Sequence, residues 1–102
     1  MKIILTKNAY IQLKTVLPEK TSVRIIAHQT SGWGSTIVYE LAQDEQLEHD
    51  EVYLFEEITI LVSPEVQAYL DGDIVIDHTK NYGYVLKNDY EILTFGMKLK
   101  KS

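Results

Sequence analysis

Apolar residues along this chain fall mostly into runs of three to six with polar neighbours between them, and only two stretches show helical spacing. Residues 2–5 read as a short strand. Thr6 then caps a helix over residues 7–17, in which Ala9, Leu13, Val16 and Leu17 share one face, and Pro18 ends it. Residues 22–28 and 36–42 read as two strands joined across the glycine-punctuated segment 29–35, a hairpin. Residues 52–55 and 58–62 flank a Glu56-Glu57 turn as a second pair, after an exposed polar loop at 44–50. Ser63-Pro64-Glu65 has the order of cap, first-turn proline and first-turn acid, so a short second helix is predicted through about Leu70, with Gly72 as a left-handed stop between Asp71 and Asp73. Residues 74–78 and 84–87 are two more strands joined through residues 80–83, and residues 90–102 form a last strand or a partly ordered tail. The order β-α-β-β-β-β-α-β-β predicts an α+β fold of mostly antiparallel β-sheets with two short helices packed on them, in one domain over residues 1–102.

The composition is ordinary for a globular protein, at 45% hydrophobic and 25% charged residues, with 5 glycines and 2 prolines in 102 residues. No apolar run approaches the roughly 20 residues that span a bilayer, and the first residues are too short an apolar stretch for a signal-peptide core, so no membrane contact is expected and the cytoplasm is the default location. The net charge of −5 disfavours a nucleic-acid partner, since phosphates would be repelled. Charge is also segregated. Five cations (Lys2, Lys7, Lys14, Lys20, Arg24) and one acid, Glu19, lie in residues 1–36; every charge in residues 37–75 is acidic; Lys98, Lys100 and Lys101 make the tail basic. Such blocks read first as solvated surface and otherwise suit a basic partner, a metal or self-association.

The chain has no cysteine, which removes thiolate ligation of zinc or of an iron-sulfur cluster and removes thiol catalysis. His28, His49 and His78 lack the paired spacing that brings two imidazoles onto one metal; His28 and His78 read as hydrogen-bonded sheet-edge residues and His49 as a loop residue. A weaker alternative is a hard cation or iron held by oxygen and nitrogen donors from Asp44, Glu48, His49, Asp77 and His78, although the acidic run lacks the ligand alternation of a calcium loop. No serine elbow and no phosphate-cradling loop is present, so an enzyme is the lowest-ranked reading. Trp33, between Gly32 and Gly34 at a hairpin tip, either packs back on the sheet or projects to meet a partner.

Taken together, Val23-Arg24-Ile25-Ile26, Thr30-Ser31-Gly32-Trp33-Gly34, Tyr69-Leu70-Asp71-Gly72, Ile76-Asp77 and residues 83–88 resemble the HesB-like core domain of A-type iron-sulfur cluster biosynthesis proteins, IscA-like, in order and spacing from about residue 3 to residue 97. The resemblance implies a β-rich fold with three cluster cysteines, one in a hairpin loop and two in a Cys-Gly-Cys tail, usually at a subunit interface. Carried onto this chain, those positions fall on Trp33, Phe95 and Met97, around a retained Gly96, so all three thiolates are missing. The resemblance therefore implies a scaffold more than a cargo. The expected function is a non-enzymatic binding or accessory module without a cofactor, its contact surface formed by Thr30, Ser31, Gly32, Trp33, Gly34 and Gly96, with a protein partner or a homo-oligomer as the candidate assembly. Trp33, Phe95 and Met97 are expected to converge in an apolar patch, which serves either a partner or the packing of the tail.

Overall fold

The computed structural model describes residues 1–30 and 36–101 of the chain. In order they form β1 (Ile3–Leu5), α1 (Lys7–Val16), β2 (Thr21–Thr30), β3 (Thr36–Gln43), β4 (Glu51–Phe55), β5 (Ile58–Val62), α2 (Pro64–Gln67), β6 (Ile74–Thr79), β7 (Gly83–Lys87), β8 (Ile92–Met97) and β9 (Leu99–Lys100). The strands make two sheets, one in the order β1-β6-β7-β8 and the other β4-β5-β2-β3-β9.

The predicted hairpins are all present. Antiparallel ladders join β2 to β3 over Val23–Gln43 through Thr30–Thr36, β4 to β5 over Glu51–Val62 through Phe55–Ile58, and β6 to β7 over Val75–Lys87 through Thr79–Gly83. A fourth antiparallel ladder, between β7 and β8, is broken by two register shifts. Three parallel ladders then tie distant parts of the chain together: β1 to β6, β2 to β5 and β3 to β9. The sheets are mixed, with antiparallel pairing within hairpins and parallel pairing between them. The second helix is shorter than expected, four residues, and the tail is two short strands placed in different sheets.

Local chemistry explains the helix ends. The Thr6 hydroxyl accepts the Ala9 N–H at 3.2 Å and donates to Asp77 Oδ1 at 2.7 Å, so one side chain caps α1 and fastens it to β6. Burial opposes ionisation of Asp77, but the Thr6 hydroxyl, the His78 N–H and nearby Lys87 together hold its carboxyl below the usual range. The Ser63 hydroxyl accepts the Val66 N–H at 3.3 Å, with Pro64 in the first turn, and Gly72 adopts the left-handed conformation at φ +69°.

One apolar cluster runs through both sheets. Ala9 and Leu13 of α1 are fully buried beside Ile74, Ile76 and Leu86 of the first sheet and Val23, Ile25, Leu41, Ile58 and Ile60 of the second. In β5, Ile58, Ile60 and Val62 face this core, and Leu61 is buried on the opposite face.

Candidate functional site at the tail corner

The chain leaves the first sheet and enters the second through Lys98, between β8 and β9, and just before that crossing β8 bends at Gly96, where its register with β7 shifts. The Gly96 backbone has φ +58°, a conformation that costs an L-residue roughly 1–2 kcal/mol, and its N–H donates to the Tyr82 carbonyl at 2.8 Å. Gly83, at the start of β7, is also left-handed at φ +67°, and a Cβ built on it would stand 3.6 Å from Gly96 Cα, in ordinary contact. Because a Cβ at Gly96 would still find ordinary contact, 3.7 Å from the Tyr82 carbonyl oxygen, the backbone conformation sets the penalty there. Gly96→Val is expected to lower the denaturant midpoint by the equivalent of about 1–2 kcal/mol with an unchanged m-value.

Phe95 and Met97, on either side of this glycine, have different fates. Phe95 is 56% exposed and stacks on the equally exposed Tyr82, ring centroids 5.4 Å apart and planes 26° from parallel. Met97 is 5% exposed and belongs to the core, opposite Tyr84 in the β7–β8 ladder. A shared surface patch of Phe95 and Met97 is therefore not formed: the aromatic ring is at the surface and the thioether is packed inside. Thr30, at the end of β2, donates its hydroxyl to the Thr36 carbonyl at 3.1 Å. Ser31, Gly32, Trp33 and Gly34 lie outside the described residues, and with them the expected convergence of hairpin tip and tail.

At the start of β8 and along β3, a groove of about 380 Å³ is lined by Thr36, Ile37, Tyr39, Tyr69, Glu91, Ile92 and Leu93. Thr94 bridges its two walls by accepting the Tyr39 N–H at 3.3 Å. Burial pushes the Tyr39 and Tyr84 phenols above their ordinary pKa, so both are neutral at physiological pH. Tyr84 sits edge-on against His78, and among the described residues its buried hydroxyl has no hydrogen-bond partner. From the sequence, Tyr82 and Tyr84 read with the other tyrosines as cross-strand packing, which holds for the buried Tyr84 and not for the exposed Tyr82. Their signal was the Tyr-Gly-Tyr order at residues 82–84, where a turn glycine places one ring outside and the next inside.

The oxygen and nitrogen donors named from the sequence do not come together. Asp44 accepts from Arg24 Nε at 2.7 Å, and both oxygens of Asp50 accept from the Arg24 guanidinium at 2.7 Å. Arg24 also donates to the Glu45 carbonyl at 2.9 Å. The acidic run expected to be solvated is therefore partly folded inward around a buried arginine, and the Asp50 side chain is only 1% exposed. Glu48 and His49 remain exposed. Asp77 is held by Thr6 and His78 packs on Tyr84, far along the other sheet from the acidic loop. Among the described residues no three His, Asp or Glu side chains are placed to hold a metal ion. His28 Nε2 lies 3.5 Å from Glu40 Oε1, while Lys100 of β9 approaches Glu40 Oε2 at 3.1 Å, an ion pair without hydrogen-bond alignment.

The residues at the corner do not fit an iron-sulfur cluster: the chain has no thiolate, an aromatic ring offers iron no donor, and the one thioether is buried. What the corner presents is a pair of stacked, exposed rings.

A family model for iron-sulphur cluster biosynthesis matches residues 1–101. No curated protein matches the chain in sequence. Among solved structures, a candidate Fe-S biosynthesis protein from Lactobacillus acidophilus superposes with a TM-score of 0.68 at 17% identity, covering 99% of this chain and 90% of the other. Escherichia coli SufA, involved in biosynthesis of iron-sulfur clusters, gives a TM-score of 0.67 at 19% identity, covering 88% of this chain and 82% of its own. A candidate Fe-S biosynthesis protein from Lactobacillus salivarius gives 0.61 at 14% identity, with 99% and 98% covered. At these identities the three structures establish a shared fold.

Proposed function

The chain belongs to the iron-sulphur cluster biosynthesis family, and we propose that it serves there as a non-enzymatic accessory module that binds a protein partner, or a second copy of itself, without carrying a thiolate-ligated cluster. The observation that carries this reading is the exposed Tyr82–Phe95 stack at the Gly96 corner in a chain with no cysteine. Exposed aromatic anchors are the usual centre of a contact surface. Thr30 and the hairpin tip with Trp33 belong to the same proposed surface, and the cytoplasm is the proposed location. Among the described residues no helix is long and apolar enough to cross a membrane.

The alternative, iron held by Asp44, Glu48, His49, Asp77 and His78, has less support, because Arg24 and Thr6 already occupy two of the carboxylates. Anaerobic addition of ferrous iron and sulfide, followed by desalting, is expected to leave neither a visible cluster chromophore nor stoichiometric iron. Retention of either would overturn the cluster-free reading. Phe95→Ser and Trp33→Ser are each expected to weaken partner retention from native extract by about tenfold or more, the loss usual for a central aromatic anchor. Unchanged retention in both would remove the corner as the contact surface.

A further inference from the structure

Four strands end the two sheets, and three of them are poor templates for another strand. β1 has three residues, β9 has two, and β8 is bent by two register shifts. Bulges and short lengths are the ordinary means by which a sheet edge is kept from pairing. β4 has neither. Its five residues keep an unbroken register with β5, and it contains no proline, lysine or bulge.

The direction of its free backbone groups follows from the neighbouring ladder. The Thr21 N–H donates to the Glu57 carbonyl at 3.1 Å, so β5 turns residue 57 and its alternates toward β2 and turns Ile58, Ile60 and Val62 toward β4. Their partners Phe55, Tyr53 and Glu51 are thereby satisfied, and the N–H and C=O groups of Val52 and Leu54 point outward. The Leu54 side chain is 76% exposed.

Both ends of this edge carry a hollow, of different character. At the Phe55 end, Leu5, Tyr10 and Phe55 line a space of about 320 Å³, rimmed by Lys7 and Glu56. At the Glu51 end, Leu47, Glu48, His49 and Glu65 line one of about 310 Å³. Glu48, Glu51 and Glu65 are all exposed there, and no lysine or arginine occurs between residues 37 and 75. A basic side chain is the complement to that end, and β4 itself carries none.

We propose that the outer edge of β4 docks an extended peptide segment of another protein as a sixth strand, with a lysine or arginine seated by Glu48 and Glu65 and an apolar residue beside Phe55. The two hollows are separated by the length of β4, about 13 Å at the usual strand rise, so the segment spans about five residues. β4 lies at the opposite end of its sheet from β9, and the proposal is independent of the tail corner.

The probe is an acetylated, amidated peptide Leu-Thr-Val-Thr-Lys, tested beside its reversed sequence and beside a version with glutamate in place of lysine. One lysine peptide is expected to bind about tenfold or more tightly than its glutamate counterpart and to slow hydrogen exchange at the Val52 and Leu54 amides by a similar factor. Leu54→Pro removes an outward N–H that no ladder uses, so the fold should persist by circular dichroism while affinity falls about tenfold or more. Glu48→Lys with Glu65→Lys should weaken binding without altering the ladder. The proposal is overturned if neither lysine peptide binds, if the glutamate version binds equally, or if binding leaves Val52 and Leu54 exchange unchanged. Concentration-dependent protection of those two amides in the protein alone would also overturn it, by assigning the edge to a second copy.

Discussion

Arg24→Ala is expected to lower the free energy of unfolding by about 3–5 kcal/mol, the cost usual for removing one partner from a buried charge cluster. The guanidinium is enclosed on β2 and satisfies Asp44, both oxygens of Asp50 and the Glu45 carbonyl. Without it, Asp50 is left as a buried carboxylate with only the Leu47 N–H to answer it. Arg24→Met combined with Asp50→Asn should recover part of the loss, since no bare charge remains. Urea titrations of the three proteins give the comparison, and equal midpoints would mean that the cluster contributes nothing net.

Acid supplies a second readout. Arg24, helped by the Glu45 and Leu47 N–H groups, holds the Asp44 and Asp50 carboxyls below the usual carboxylate range, and Arg24 itself is held above its own. For a carboxyl whose folded pKa is depressed, the stabilisation is complete above the unfolded value, about pH 4, and disappears as pH falls through the folded values. The wild type should therefore lose stability steeply below about pH 4. In Arg24→Ala the buried Asp50 resists ionisation instead, so acid relieves it and the gap between the proteins narrows. A gap that widened in acid would exclude this assignment.

Leu13→Ala is the other large effect. Leu13 is fully buried at the centre of the α1 face that meets β6, and deleting a buried leucine costs about 2–5 kcal/mol according to how far the site collapses. A ten-residue helix is too short to persist by its own propensity, so α1 exists because of this contact. A fall in Tm of more than about 10 °C is expected, with loss of helical circular dichroism in step with the sheet signal. Early, separate melting of the helix would show that α1 is not part of the cooperative unit.

These two sites differ in how far the sequence revealed them. Leu13 was legible, since its spacing from Ala9, Val16 and Leu17 marks a helix face, just as Ser63-Pro64 marks a helix start and Glu56-Glu57 a hairpin turn. Each is a signal between near neighbours. Arg24 was not legible as a cluster, because its partners lie 20 and 26 residues away and their neighbourhood is acidic enough to read as water-facing. The parallel ladders were hidden for the same reason: nothing local at Ile3, Val23 or Leu41 announces Ile74, Ile60 or Leu99 as a partner. At the tail, the family resemblance pointed to Phe95, Gly96 and Met97, but only the left-handed turn at Gly96 separates an exposed ring from a buried thioether.

The parallel ladders also impose an order on the birth of the molecule. On the ribosome Ile3 is made long before its ladder partner Ile74, and Leu41 waits likewise for Leu99. The hairpins pair residues made within moments of one another, whereas each parallel closure needs a long loop to be drawn in. The nascent chain must therefore carry the apolar strand Ile3–Leu5 unpaired until β6 has been made, a stretch that favours contact with whatever chaperone surface is near the tunnel exit.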